Sequence, residues 1–167
     1  MDKENKLVCV AMGSASDAGV MEGCTKTLEE LEIPYELRVV SAHRTPERAR
    51  LTAEGASERG IEVIIAGAGW AAHLAGVIAS HTDLPVIGVP IDSSPLQGMD
   101  ALLSTVQMPP GVPVATVSVG KGGAKNAAVL AARILALKHP EVKKRLSLYT
   151  QEMAGRLASE AEKLEKG

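Results

Sequence analysis

The segment VVSAHRTP, residues 39–46, places an imidazole and a guanidinium directly after two β-branched residues that end a predicted strand. Proline is favoured at the first position of a helix, so Pro46 begins the next helix and residues 41–45 form a strand-to-helix loop. Imidazole exchanges protons near neutral pH, and guanidinium binds carboxylate and phosphate. Taken singly, His43 is equally well explained as a hydrogen-bonded loop histidine, and Arg44 as a solvated surface charge.

Two other segments also place polar residues after an apolar run. In MGSASD, residues 12–17, serine and aspartate either cap a helix or help its N-terminus to bind phosphate. The segment has neither the lysine of a P-loop nor the GxGxxG spacing of a dinucleotide site. In AGAGWAAHLAG, residues 66–76, small residues let the backbone approach a ligand, and His73 lies in the first turn of a predicted helix. A structural histidine is the ordinary alternative there.

The elements that position these segments alternate between short apolar runs and helical patterns. We predict strands at 7–12, 35–40, 62–68, 84–90 and 112–119, and helices at 19–33, 46–60, 71–82, 98–108 and 123–139. The pattern is typical of an α/β protein, a three-layer α/β/α sandwich around a parallel sheet. Ligands bind such sheets at the carboxyl ends of the strands. The three segments therefore converge on one edge and suit a phosphorylated small molecule handled by acid–base chemistry.

Residues 140–167 predict a long amphipathic helix beyond the last strand. Leu146, Tyr149, Met153, Leu157 and Leu164 fall near one face of it. This helix either folds back on its own sheet or reaches onto a neighbouring subunit. We predict a single domain over residues 1–167, with a core at about 7–138 and a helical extension at about 140–165.

The composition of the 167-residue chain excludes several classes of function. Aromatic residues make up 2% and phenylalanine is absent, which disfavours a stacking platform for single-stranded nucleic acid. The net charge of −2 disfavours duplex binding. Cys9 and Cys24 do not have the spacing of zinc ligands, so we expect no metal site. Cys9 lies inside an apolar run and is predicted to be a core residue. The polar start MDKENK and the lack of an 18-residue apolar stretch predict a soluble, cytoplasmic protein with no membrane span.

Six segments together resemble the N5-carboxyaminoimidazole ribonucleotide mutase family of purine synthesis. They are MGSASD, VSAHRTP, VIIAGAGWAAHLAG, LPVIGVP, MDALLSTVQMPPGVPVATVSVG and AKNAAVLAARIL, in order from about residue 7 to residue 138. The resemblance implies a flavodoxin-like subunit and a homo-octamer in which the C-terminal helix packs on a neighbour. It also implies a nucleotide substrate, a carboxylate moved from N5 to C4, and no metal, ATP or organic cofactor.

The same resemblance implies roles for individual residues. His43 is the proton carrier, and His73 lines the pocket beside the carboxylate or the imidazole. The implied substrate-binding positions are Ser14, Ser16, Asp17, Ser41, Ala42, Arg44, Ala71 and Leu74. The backbone of Gly67, Ala68 and Gly69 is expected to line a carbon dioxide pocket.

One residue departs clearly from the family pattern. The third motif usually reads GAGGAAHLPG, whereas this chain has Trp70 and Ala75 at the two altered positions. The indole either points into the pocket or faces outward or towards another subunit. Two alternative functions stay open at this point. One is a carboxylase that uses free carbon dioxide, whose relatives more often read SAHK and AGRSN. The other is a phosphate-ligand binding module without catalysis.

Overall fold

The computed structural model describes residues 6–166, so residues 1–5 of the predicted polar start and residue 167 lie outside the described part. The strands are β1 (Val8–Met12), β2 (Tyr35–Val39), β3 (Val63–Gly69), β4 (Val86–Ile91) and β5 (Ala115–Thr116). The helices are α1 (Ala18–Glu30), α2 (Pro46–Glu54), α3 (Leu74–Ala79), α4 (Met99–Val106), α5 (Gly120–Leu135) and α6 (Pro140–Glu165). A 3-10 turn over Ala15–Asp17 precedes α1.

The five strands form one parallel sheet in the order β2-β1-β3-β4-β5. The chain steps from β1 to one side to make β2 and then crosses back to make β3 on the other side of β1. The loops that follow β1 and β3 therefore diverge at this point and leave a crevice at the carboxyl edge. The predicted α/β architecture is confirmed, and the three chemical segments lie at this edge.

Strand β1 alternates its side chains between two hydrophobic layers. Val8, Val10 and Met12 belong to the layer that contains α1 and α5, whereas Cys9 and Ala11 belong to the layer that contains α2 and α3. Both cysteines are free and buried, and burial raises the pKa of each thiol to about 12. The prediction of Cys9 as a core residue is confirmed.

Helices α1 and α5 approach each other closely because their contact residues are small. A Cβ atom added at Gly23 would lie 3.2 Å from the Lys121 carbonyl oxygen and 3.8 Å from Ala124 Cβ. The buried face of α5 consists mainly of alanine, with Ala124, Ala127, Ala128, Ala131 and Ala132 all inaccessible to solvent. In a core without phenylalanine, close approach of backbones replaces bulky side chains as the means of reaching a dense interior.

Three predicted elements are shorter than expected. The helix predicted at 46–60 ends at Glu54 and continues as turns to Gly60, whose φ is 83°. The helix predicted at 71–82 is only Leu74–Ala79, because Trp70 and Ala72 have positive φ angles that no α-helix contains. The strand predicted at 112–119 pairs only over Ala115–Thr116, at the sheet edge and just after Pro113, which has no N–H to donate.

Helix α6 begins against α5 and then leaves the core. Val142 and Tyr149 are buried, and Leu146 packs against the same cluster. Further along, Met153 is 51% exposed and Leu157 is 67% exposed. The first half thus folds back on its own subunit, while the second half leaves its apolar side chains uncovered. Within residues 6–166, no helix has both the length and the apolar character needed to cross a bilayer.

Candidate active site

A cavity of about 670 Å³ opens at the carboxyl edge of the sheet, above the crevice beside β1. Residues from the loops after β1, β2, β3 and β4 line it. They are Gly13, Ser14, Ser16, Asp17, Ser41, Ala42, His43, Arg44, Ala68, Gly69, Trp70, Ala71, Ala72, His73, Leu74 and Ser93. Of the thirteen residues singled out from the sequence, twelve are in this lining.

Gly67 is the predicted site residue that the lining does not include. It lies within β3, and a Cβ atom there would collide with Sδ of Met21 in the core. Its carbonyl accepts a hydrogen bond from the Gly13 N–H at 3.1 Å. Gly67 therefore supports the site from beneath by holding the start of the β1 loop and by giving Met21 room.

The loop after β1 holds its polar groups through a capping box at the 3-10 turn. The Ser14 side chain accepts a hydrogen bond from the Ser16 N–H at 3.3 Å, and Asp17 Oδ2 accepts one from the Ser14 N–H at 3.0 Å. The Ser16 hydroxyl also donates to the Ser14 hydroxyl at 2.9 Å. Capping of this kind is one of the two explanations that the sequence left open. It does not exclude ligand binding, because Ser14 and Ser16 also line the cavity.

Asp17 is the buried charge of the site, with only 7% of its surface exposed. Burial raises the pKa of this carboxyl above its ordinary value, against the opposing effects of the Ser14 N–H and the nearby Arg44 guanidinium. The hydrogen bond from the Ser14 N–H also holds the carboxylate in a fixed orientation at the base of the β1 loop. A group held in this way can accept hydrogen bonds from the hydroxyls of a sugar.

Arg44 ties the loop after β2 to the loop after β1. Its Nη2 donates to the Gly13 carbonyl at 2.9 Å, and its Nε donates to the Ser41 hydroxyl at 3.4 Å. Thr45 orders the same loop, since its hydroxyl accepts a hydrogen bond from the Ser41 N–H at 2.9 Å. The guanidinium is exposed at the cavity, where its remaining N–H donors can reach an anion.

The two histidines of the site contact each other directly. Nε2 of His43 lies 2.6 Å from Nδ1 of His73, and the two rings meet edge to face at an interplanar angle of 77°. A hydrogen bond between two ring nitrogens needs one N–H donor and one bare acceptor. The bond therefore holds a single proton between the rings, and both imidazoles remain open to the cavity.

The loop after β3 is a tight turn that carries Trp70 at its second position. The Ala72 N–H donates to the Gly69 carbonyl at 3.0 Å, and Trp70 has a φ of 55°. This left-handed region costs a residue with a side chain on the order of 1–2 kcal/mol relative to glycine. Gly69 itself has no room for a side chain, because a Cβ atom there would collide with the Ser93 hydroxyl. Trp70 is 60% exposed and lines the cavity, so it neither fills the pocket nor turns away from it.

Sequence reasoning missed three lining residues, Gly13, Ala72 and Ser93. Gly13 and Ala72 lie inside motifs that were singled out for their neighbours. Ser93 follows β4, which ends at Ile91 and not at the predicted Pro90. The rule that ligands meet the carboxyl ends of strands would have included it if the loop after the fourth strand had been considered.

The charge and donor set of the cavity favour an anionic ligand. One guanidinium, two imidazoles and several hydroxyls surround the single carboxylate of Asp17. Among the described residues, no group of three or more His, Cys, Asp or Glu side chains is arranged to hold a metal ion. The arrangement can bind phosphate through donors and can move a proton through the histidine pair.

Comparison with known proteins gives a consistent result. Residues 7–156 match the family described as AIR carboxylase. The N5-carboxyaminoimidazole ribonucleotide mutase of Pyrococcus horikoshii is 57% identical over 166 residues, which are 99% of this chain and 93% of that protein. The mutase of Thermotoga maritima is 54% identical over 159 residues, 95% of this chain and 92% of that protein. A crystal structure of Treponema denticola PurE superposes with a TM-score of 0.84 at 31% identity, covering 95% of this chain and 98% of that one.

Proposed function

The chain belongs to the AIR carboxylase family, and we infer from that membership that it is an N5-carboxyaminoimidazole ribonucleotide mutase. This isomerase of purine biosynthesis moves a carboxylate from N5 to C4 of the aminoimidazole. The observation that carries the assignment of catalytic roles is the contact between His43 and His73 within a cavity that also presents Arg44 and Asp17.

The reaction needs one proton to be given and one to be taken. Protonation of the carbamate nitrogen breaks the N–C bond, with its electron pair returning to nitrogen, and releases carbon dioxide. The C4 carbon then attacks the trapped carbon dioxide and forms the new C–C bond. The tetrahedral C4 finally loses its proton, which restores the aromatic ring. A single group that donates first and accepts later serves both ends of this sequence, and imidazole is suited to that near neutral pH.

We assign this proton transfer to His43 and give His73 a supporting role. The 2.6 Å contact fixes the orientation of the His43 ring and lets its Nε2 share a proton with Nδ1 of His73. We assign the proton exchange with substrate to the other ring nitrogen of His43, Nδ1. Positioned acid–base catalysis of this kind typically contributes on the order of 100- to 10,000-fold to the rate.

The remaining loops supply binding. Arg44, together with the hydroxyls of Ser14, Ser16 and Ser41, forms the side of the cavity richest in donors, and we assign phosphate and ribose to it. Asp17 accepts hydrogen bonds from the ribose hydroxyls. Small and apolar groups that suit the released carbon dioxide also line the cavity, and they are Ala42, Ala68, Gly69, Ala71 and Leu74. Holding that molecule beside C4 provides the proximity that recapture needs.

We also propose that the subunits form a homo-octamer in the cytoplasm and exchange their C-terminal helices. Support comes from α6, whose second half leaves Met153, Leu157 and Leu164 at least half exposed. Most helical stability in proteins comes from packing of an apolar face, so a neighbouring subunit is the natural cover for this one.

The assay that tests the function supplies purified protein with aminoimidazole ribonucleotide and follows the ultraviolet absorbance of 4-carboxyaminoimidazole ribonucleotide as it forms. It is run with bicarbonate, with and without the carbamate-forming partner enzyme. We expect product only when the partner enzyme supplies the carbamate. Turnover driven by bicarbonate alone would reassign the protein as a carboxylase that uses free carbon dioxide. Binding without turnover would make it a non-catalytic binding module.

A further inference from the structure

Trp70 is a large apolar residue in a position that the fold itself does not require. It is the only tryptophan in the chain, it is 60% exposed, and it lies in the lining of a cavity that also presents two imidazoles and a guanidinium. Tryptophan normally gains stability by burying its ring against other groups. Residues 6–166 leave most of this side chain uncovered, so the indole is available to a ligand that enters the cavity.

The turn that carries Trp70 would be better served by glycine. Its second position has a φ of 55°, and turns with a positive φ at that position favour glycine because it has no Cβ. The turn is closed by the hydrogen bond from the Ala72 N–H to the Gly69 carbonyl, and Gly69 itself has no space for a side chain. The indole therefore contributes nothing to the closure of the turn, and strained residues of this kind cluster at ligand sites.

The position of Trp70 along the loop fixes which part of a ligand it would meet. It precedes His73 by three residues, and His73 contacts His43 at 2.6 Å. Any ring on which the histidine pair acts must lie close to this loop. The donors to which we assign phosphate belong to the loops after β1 and β2 and not to this loop.

We propose that Trp70 is a substrate-binding residue whose indole closes over the mouth of the cavity and stacks on the aminoimidazole ring. The proposal rests on the proposed function, because it places the heterocycle beside His43 and His73. Stacking adds binding energy that holds the planar ring in the cavity beside the histidine pair. It also selects for ligands that carry a flat heterocycle over sugar phosphates that lack one.

The test uses the intrinsic fluorescence of the intact protein, since Trp70 is its only tryptophan. We expect saturation with 4-carboxyaminoimidazole ribonucleotide to change the indole emission, and saturation with ribose 5-phosphate to leave it unchanged. Calorimetry establishes binding independently. Stacking on an aromatic side chain predicts that Trp70→Ala raises KM about ten-fold with little change in kcat, while Trp70→Phe stays within about three-fold of the parent.

Trp70→Gly separates the ring from the strain of the turn. It lacks the ring, as Trp70→Ala does, so it should share the raised KM, but it should melt at a higher temperature because glycine accepts the positive φ. An unchanged KM in Trp70→Ala, or calorimetric binding without any change in emission, would overturn the proposal. Ring-dependent binding without turnover by the parent protein would instead refute the proposed function alone, and absence of both binding and turnover would refute both.

Discussion

The contact between His43 and His73 allows their roles to be separated by a double-mutant cycle. We expect His43→Asn to lower kcat on the order of 100- to 10,000-fold, the usual contribution of positioned acid–base catalysis. His73 acts through the hydrogen bond at 2.6 Å. Hydrogen bonds that involve a charged partner contribute about 1.5–3 kcal/mol, and the exposure of both rings places this one near the lower end. His73→Asn should therefore cost about ten-fold.

The double variant provides the decisive measurement. If His73 serves only to orient His43 and share its proton, its effect disappears once the His43 imidazole is gone. The double variant should then be no slower than His43→Asn alone, which is strong non-additivity for two residues in contact. His81→Asn is the matched control, because His81 lies at the far end of α3, pairs with Glu54 at 3.6 Å and is outside the cavity lining.

Rates for the parent and all four variants are measured by the ultraviolet interconversion assay, and product affinity is measured by calorimetry. Both single variants should bind product nearly as well as the parent, because we assign the phosphate and ribose contacts to other residues. A double variant that is a further ten-fold slower than His43→Asn would refute the reasoning, since His73 would then act on substrate by itself. Substantial activity left in His43→Asn would refute the assignment of the proton carrier.

Three further variants test the site and its support. Arg44→Lys should raise KM about ten-fold, because a lysine ammonium cannot bond to Gly13, Ser41 and an anion at once as the planar guanidinium can. Arg50→Lys is the control and should leave KM unchanged, because Arg50 lies in α2 and pairs with Glu47 outside the cavity lining. Gly123→Ala should lower the free energy of unfolding, measured with urea, by about 3 kcal/mol, because the added Cβ would collide with the Ser118 carbonyl. Gly122→Ala is the control and should be neutral or stabilising, because no atom lies within 4 Å of the Cβ that it adds. Glu36→Gln should be destabilised at neutral pH, with a difference that shrinks in acid.

The sign of the last effect follows from the pKa of Glu36. Burial pushes this pKa up, but hydrogen bonds from Arg38 at 2.7 Å and from Arg59 at 3.0 Å outweigh burial and hold it below its ordinary value. The ionised form is thus favoured by folding. Its stabilisation is complete above the ordinary glutamate pKa and is lost as the pH falls through the lower, folded-state pKa. Urea unfolding of parent and variant across that range measures the difference, and a gap that did not change with pH would contradict it.

The outcomes that would contradict the other two variants are equally direct. An Arg44→Lys enzyme with unchanged KM would mean that phosphate is bound elsewhere. A Gly123→Ala protein as stable as Gly122→Ala would mean that the start of α5 shifts easily away from Ser118.

The edge of the sheet that carries the site could be predicted because it depends only on the alternation of strands and helices. That alternation forces parallel strands, and parallel strands bring the loops after β1, β2 and β3 to the same edge. The sequence therefore predicted that the loops carrying His43 and His73 lie at the same edge. Their 2.6 Å contact was not, because it depends on how two loops separated by 30 residues settle against each other.

The features that escaped prediction depend on backbone angles that residue type does not reveal. Helical periodicity placed Ala71 and Ala72 inside a helix, yet positive φ angles at Trp70 and Ala72 delay its start to Leu74. The same turn sets the position of the indole, which the sequence allowed to point either into the pocket or away from it. The apolar run at 112–119 looked like a full strand, but an edge position and Pro113 limit its pairing to two residues.

The close contact of α1 with α5 also has a consequence for how the chain is made. About 90 residues separate Glu30, at the end of α1, from Gly120, at the start of α5. At ribosomal rates of about 5–20 residues per second, the apolar side of α1 waits roughly 5–20 s for the helix that covers it. β1 and α1 emerge first yet stay incomplete until α5 has been made. Early release of the nascent chain, before α5 has emerged, would therefore yield no folded remainder.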